Sequence, residues 1–206
     1  DAPCIMNVGF DTPFQRWQQK LGLVKKDVSF AMRRGTEMEP IARTAFEKEV
    51  GIAVFPMVKI HPTREWQIAS MDGLDFEGKV AVEIKCAGSA DHETALNGKV
   101  PEKYVPQLQH QLLVLNLDQM YYFSFDGSKG VVIEVRKDTS YCDELLAAEY
   151  KFYDALQKFD PPELTHRDYQ KKGDHDWLDM ANRWRNIRTT IKELENEEEN
   201  CRDSLI

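Results

Sequence analysis

Apolar positions along the chain fall into two periods. From Lys79 to Cys86, Val80, Val82, Ile84 and Cys86 alternate with Lys79, Ala81, Glu83 and Lys85. This period of two predicts a strand with one apolar face and one face carrying Glu83 and Lys85. Ser70–Leu74 reads as the strand before it, and a two-residue turn at Glu77-Gly78 would set Asp72 across from Glu83. Helical spacing appears elsewhere. Phe14, Trp17 and Leu21 share a face within residues 1–25, and 25–29 reads as a loop. A helix is predicted over 39–50, with Ile41, Ala42, Ala45, Phe46 and Val50 as its apolar stripe and Gly51 as its stop. A strand over 52–60 leads into the hairpin, and 87–100 reads as a polar loop. A helix over 101–115 turns Leu108, Leu112 and Leu115 to the core and gathers Tyr104, Gln107 and Gln111 on another face. A second hairpin, 120–125 and 131–135, turns at Asp126-Gly127, and a helix over 141–159 stops at Pro161-Pro162. After a polar linker, 163–174, Trp177, Met180, Trp184, Ile187, Ile191 and Leu194 alternate spacings of three and four. Cys201 and Leu205 continue this heptad seam after a break at Glu198. Its two readings, a helix lying on its own domain and a subunit or partner contact, stand level.

The length of 206 residues, 42% of them hydrophobic, suits one domain with a core and an appendage. The expected division is a catalytic domain over 1–162 and a linker with a heptad-patterned helix over 163–206. A net charge of −8 argues against a general electrostatic grip on nucleic acid, although local fields and enclosure can replace net charge. Cys4, Cys86, Cys142 and Cys201 form no C-x-x-C pair, which speaks against zinc or iron–sulfur ligation and for reduced thiols in the cytoplasm. No long apolar run predicts a membrane span. The chain opens at Asp1 without a methionine, so residues upstream are expected.

The hairpin is where chemistry concentrates. Mg²⁺ takes hard oxygen ligands and is usually held by one or two carboxylates, with water and phosphate completing its shell. Asp72 and Glu83 offer carboxylates, the Ile84 carbonyl a third oxygen, and Lys85 a cation to orient or deprotonate water and to steady phosphate charge. The plain alternative is an edge strand whose charges face water and discourage edge pairing. Glu39 has two readings as well. Thr36-x-x-Glu39 before Pro40 fits a capping box at a helix start, and Glu39 also fits a third carboxylate beside the hairpin. Gln107 is either a solvated helical glutamine or a hydrogen-bond partner for attacking water or phosphate.

Four segments in order then carry a resemblance: Gly35-Thr36-x-x-Glu39-Pro40, Ser70-Met71-Asp72-Gly73-Leu74, Glu83-Ile84-Lys85-Cys86 and Tyr104-Val105-Pro106-Gln107-Leu108-Gln109. Together with His92, Leu96, Gly98, Val100-Pro101, they make residues 1–159 similar to the phage lambda-type recombination exonucleases of the PD-(D/E)xK nuclease superfamily. The resemblance implies an α/β fold, a PD-(D/E)xK core with a central mixed sheet flanked by helices, here followed by a C-terminal helical extension. It implies a metal site from Asp72, Glu83 and the Ile84 carbonyl, a catalytic Lys85, and supporting roles for Glu39 and Gln107. Ser89, His92 and Arg34 are the candidate DNA contacts. Two Mg²⁺ ions are expected, with Mn²⁺ able to substitute.

The same resemblance implies a homotrimeric ring that degrades linear double-stranded DNA from 5′ ends and leaves 3′ single strands for a single-strand annealing protein, in a bacterial, phage or prophage setting. Two departures stand out. The family carries another acidic residue about ten positions before its Asp-Gly, where this chain has Ile60-His61-Pro62-Thr63 and no carboxylate until Glu65. The family's arginine near the 5′ phosphate precedes the position at which this chain opens. An endonuclease of the same superfamily, or a non-catalytic DNA-binding module, is the competing expectation.

Overall fold

The structure is a computed structural model that describes residues 1–26, 29–86, 88–169 and 175–204. They form two units, Asp1–Asp168 and Tyr169–Ile206. The first unit runs past the expected boundary at 162. Arg167 donates to the carbonyls of Asn7, Gly9 and Phe10, and the Asp168 carboxylate accepts from the Thr12 hydroxyl at 2.5 Å.

Its centre is one mixed sheet of β1 (Phe55–His61), β2 (Arg64–Leu74), β3 (Ala81–Lys85), β4 (Gln119–Phe125) and β5 (Gly130–Arg136), side by side in that order. All neighbours run antiparallel except β3 and β4, which are parallel. That pairing needs a crossover. It is supplied by α4 (Ser89–Leu96), a single 3₁₀ turn and α5 (Val105–Leu115). One sheet face packs Met71, Leu74, Ala81, Met120 and Tyr122 against Leu108 and Leu112 of α5. Outside lie α1 (Ala2–Ile5), α2 (Pro13–Lys20) and α6 (Thr139–Lys158). The other face packs Val82, Ile84, Phe123 and Phe125 against Ala42 and Phe46 of α3 (Phe30–Val50). The outer half of the sheet leaves Val58, Ile60 and Ile68 more than half exposed, with Ile60 directly across from Ile68.

Several expectations need correction. The helix expected at Glu39 begins nine residues earlier, at Phe30. Ser29 caps α3 by accepting from the Met32 amide, Thr36 turns its hydroxyl back to the Met32 carbonyl, and Pro40 lies inside the helix. Thr36 and Glu39 therefore form no capping box, and α3 ends where expected, at Gly51 with φ 75°. The loop expected over 87–100 contains α4, with His92 and Ala95 buried. β3 lies mid-sheet rather than at an edge, so Glu83 is 1% exposed instead of facing water.

The second unit contains α7 (His175–Ser204), one helix that carries the expected seam. Leu205, the seam's expected continuation, lies outside the described residues, as do 27–28 of the expected loop at 25–29 and 170–174 of the expected linker.

Candidate active site

The hairpin turn differs from expectation, yet the register does not. Asp75 closes a longer loop: its amide donates to the Val80 carbonyl, and its carboxylate accepts from the amides of Lys79 and Val80 at 2.7 and 2.8 Å. The pairs Leu74↔Ala81 and Gly73↔Val82 follow, so Asp72 stands level with Glu83 at the next step. Against β1 the register shifts between Phe55↔Leu74 and Met57↔Met71, which gives β2 one extra residue at Asp72-Gly73. Such bulges re-aim side chains and terminate pairing. Gly73 is required there, because a Cβ would stand 2.6 Å from Val54 Cγ2 and 2.7 Å from Val82 Cγ1.

Glu83 is the hub of the site. Lys85 Nζ and Gln107 Nε2 donate to its Oε1 at 2.5 and 2.6 Å, and Gln111 Nε2 donates to its Oε2 at 2.6 Å. Gln111 also donates to the Ser70 carbonyl at 2.9 Å, tying α5 to β2. Gln107 and Gln111 are one helical turn apart, so α5 presents both amides side by side. Asp72 Oδ2 accepts from the Ile84 amide at 2.8 Å. Burial and the nearby Glu83 charge push the Asp72 carboxyl up to about 7. Burial alone would pull the Lys85 ammonium down, but the carboxylates of Glu83 and Asp72 outweigh it and hold the ammonium above its ordinary value. The same ammonium lies 5.2 Å from the centre of the Tyr104 ring, whose hydroxyl donates to Asp91.

From the other side of the sheet, Arg43 on α3 donates through Nε to the Asp72 carbonyl at 2.7 Å and pairs with Glu39 at 2.5 Å. Glu39 thus stands beside Asp72, and its charge contributes to raising the Asp72 carboxyl. Arg43 and Gln111 were not singled out from sequence. The signal for Gln111 was its shared face with Gln107, and for Arg43 its position one turn after Glu39.

The candidate DNA contacts separate. Ser89 is exposed in the first turn of α4, and Arg34 is exposed on α3. His92 does not lie in a loop. Its ring is buried, with Nδ1 2.9 Å from the Ser124 hydroxyl and Nε2 3.8 Å from Asp126, so it is engaged in the fold. The arrangement brings Asp72, Glu83, Lys85, Gln107 and Glu39 together and withdraws His92.

Among the described residues, no three His, Cys, Asp or Glu side chains form a closed metal cage. The hard oxygens brought together are the carboxylates of Asp72 and Glu83. That composition fits a Mg²⁺ ion that keeps several waters, and a cation there would offset the burial and the Glu83 charge that together raise Asp72.

Comparison with known proteins agrees with this architecture. The alkaline exonuclease LHK-Exo from Laribacter hongkongensis, solved alone and in complex with dAMP, superposes with a TM-score of 0.60 at 27% identity, covering 69% of this chain and 76% of that one. A phage-related exonuclease from Haemophilus somnus 129PT shares the fold, with a TM-score of 0.51 at 16% identity over 70% of this chain and 80% of its own. The protein YqaJ of Bacillus subtilis (strain 168), described as uncharacterized, is 29% identical over 161 residues, which is 74% of this chain and 50% of that protein. The chain thus spans about half the length of the curated relative it matches. The YqaJ-like viral recombinase domain matches residues 7–118, more than half of the chain. With that match, the phage-recombinase resemblance in the sequence holds: the chain belongs to the YqaJ-like viral recombinase domain family.

Proposed function

We propose that this chain is a Mg²⁺-dependent nuclease that hydrolyses phosphodiester bonds of linear double-stranded DNA, from 5′ ends and processively, leaving 3′ single strands for a single-strand annealing protein. The observation that carries the reading is the convergence of Asp72, Glu83 and Lys85 at the bulged end of the β2–β3 hairpin, in a chain whose fold resembles that of a solved alkaline exonuclease. Asp72, Glu83 and the Ile84 carbonyl would hold the ion. Glu83 accepts three hydrogen bonds, and two acceptor directions per oxygen leave one on Oε2. Glu39 is the carboxylate left for a second ion.

A bound divalent ion would polarise the phosphate and acidify its water. The chain's own residues do the rest. Lys85, held as an ammonium by two carboxylates, favours a cationic role over that of a base: it orients the attacking oxygen and steadies charge on the phosphate. Gln107 and Gln111 fix Glu83 so that its carboxylate stays aimed at the ion position. Glu39, positioned by Arg43, orients water next to Asp72. A homotrimeric ring would provide the hold on DNA that an acidic chain lacks, and the bare Val58, Ile60 and Ile68 surface suits a contact between its subunits.

The test mixes full-length protein with linear duplex labelled at one end or the other, or with closed circular duplex, in Mg²⁺ or in chelator. Mononucleotides released first from the 5′ label, only with Mg²⁺ and never from the circle, are expected. Nicking of the circle would support the endonuclease reading, and silence on every substrate the non-catalytic one.

A further inference from the structure

The seam of α7 has no part in the reading above. Along one side of the helix Met180, Trp184, Ile187, Ile191 and Leu194 are 64, 64, 49, 39 and 58% exposed. At about 1.5 Å per residue, its 30 residues span roughly 45 Å. Its charge is divided by position. Arg183, Arg185, Arg188 and Lys192 occupy one stretch with no acidic residue among them, and Glu193, Glu195, Glu197, Glu198 and Glu199 occupy the next with no basic one. A helix that is basic in one stretch and acidic in the next complements itself only when the second copy runs the other way.

We propose that α7 pairs with α7 of a second copy of this chain as an antiparallel two-helix coil centred between Ile191 and Leu194. In that register Ile191 packs against Leu194 of the second copy and Trp184 against Cys201. Glu198, which interrupts the seam, meets Ile187 of the other helix with its aliphatic stem while its carboxylate stays on Arg202, already paired at 2.6 Å. Beside the seam, Arg188 faces Glu195 of the second copy, and symmetry repeats that pair. The parallel alternative is disfavoured on the same residues: it sets Glu198 against Glu198 in the seam and Arg183 against Arg188 on its flank. Arg188 is therefore attractive in one orientation and repulsive in the other.

Orientation is tested in the full-length protein by oxidative crosslinking. Trp184→Cys should form an intermolecular disulfide joining position 184 of one copy to Cys201 of the other, identified by mass spectrometry after proteolysis, and the wild type should form none through Cys201. A Cys201–Cys201 link in the wild type would mark a parallel pair and overturn the proposal. Sedimentation supplies an independent readout without a cysteine change. Arg188→Glu should weaken association through α7 by about tenfold, since two attractive pairs become repulsive, and Arg188→Glu/Glu195→Arg should restore it. Tighter association of Arg188→Glu, or wild-type association that neither variant alters, would equally overturn it. The contact is two-fold and cannot close a ring of three, so it joins a copy in one ring to a copy in another; neither readout depends on nuclease activity, so failure here leaves the nuclease reading untouched, and the reverse holds.

Discussion

The Asp72 carboxylate accepts the Ile84 amide at 2.8 Å where the β2–β3 ladder ends. A side chain thus replaces a backbone partner, and an acid is fixed in a buried place beside a second acid. Burial and Glu83 push the Asp72 carboxyl to about 7, well above its ordinary 3.8. The folded value exceeds the unfolded one, so protonated Asp72 favours the fold. That contribution is complete below pH 3.8 and is lost as pH rises to about 7. In chelator, Asp72→Asn should therefore gain stability over wild type across this window, by up to about 4 kcal/mol at its top. Melting curves against pH check it. The variant should also lose about a hundredfold or more in Mg²⁺-dependent hydrolysis.

Glu83 carries a different expectation, because three donors depend on it. Glu83→Ala takes the hydrogen-bond acceptor from a half-buried ammonium and two amides, one of which keeps the Ser70 carbonyl, and should cost about 1–3 kcal/mol of stability. Glu83→Gln keeps an acceptor for Lys85 and should cost clearly less. Hydrolysis should fall severely in both. Chemical denaturation beside a nuclease assay separates the two effects, and activity retained by Glu83→Gln would remove Glu83 from the site.

Glu39→Gln now tests one role only. Ser29 caps α3, so the variant should keep the helix and lose little more than a partly exposed ion pair with Arg43, about 0–1 kcal/mol. A near-normal melting temperature with strongly reduced turnover at limiting Mg²⁺ is the expected result. Unchanged turnover would make Glu39 merely Arg43's partner.

Gly73→Ala places a methyl against Val54 and Val82 at the bulge. Overpacking of this kind should cost about 1–3 kcal/mol and shift Asp72, lowering activity as well. Val54→Ala removes the contact with Val54 Cγ2 but leaves Val54 Cβ at 2.9 Å and Val82 Cγ1 at 2.7 Å, so the double variant should recover only a small part of both losses. Recovery of stability without activity would show that Gly73 serves packing alone.

The sequence made Asp72, Glu83 and Lys85 legible because β3 keeps a strict period of two, and because the Asp75-closed loop preserves the register of the simpler turn. It misplaced the surroundings for identifiable reasons. Gly35 and Pro40 look like breaks, although a helix capped at Ser29 runs through both. Ser89-Ala90-Asp91-His92-Glu93-Thr94-Ala95-Leu96 has no apolar stripe, so α4 left no helical signal. The burial of Glu83 depends on a crossover over the sheet, which no local pattern encodes. Gln111 lay on the same predicted face as Gln107, but only the packed structure brings its amide to Glu83.

The parallel pairing of β3 with β4 has a kinetic consequence. Glu83 and Lys85 lie on one side of the crossover, β4 on the other, and the amides that fix Glu83 are part of the crossover itself. Such non-local pairing is slow, because the intervening chain must be ordered first. A chain emerging from synthesis or refolding therefore cannot assemble the acidic pocket from the early hairpin alone. The pocket should form in step with burial of Tyr122 on β4, and not before it.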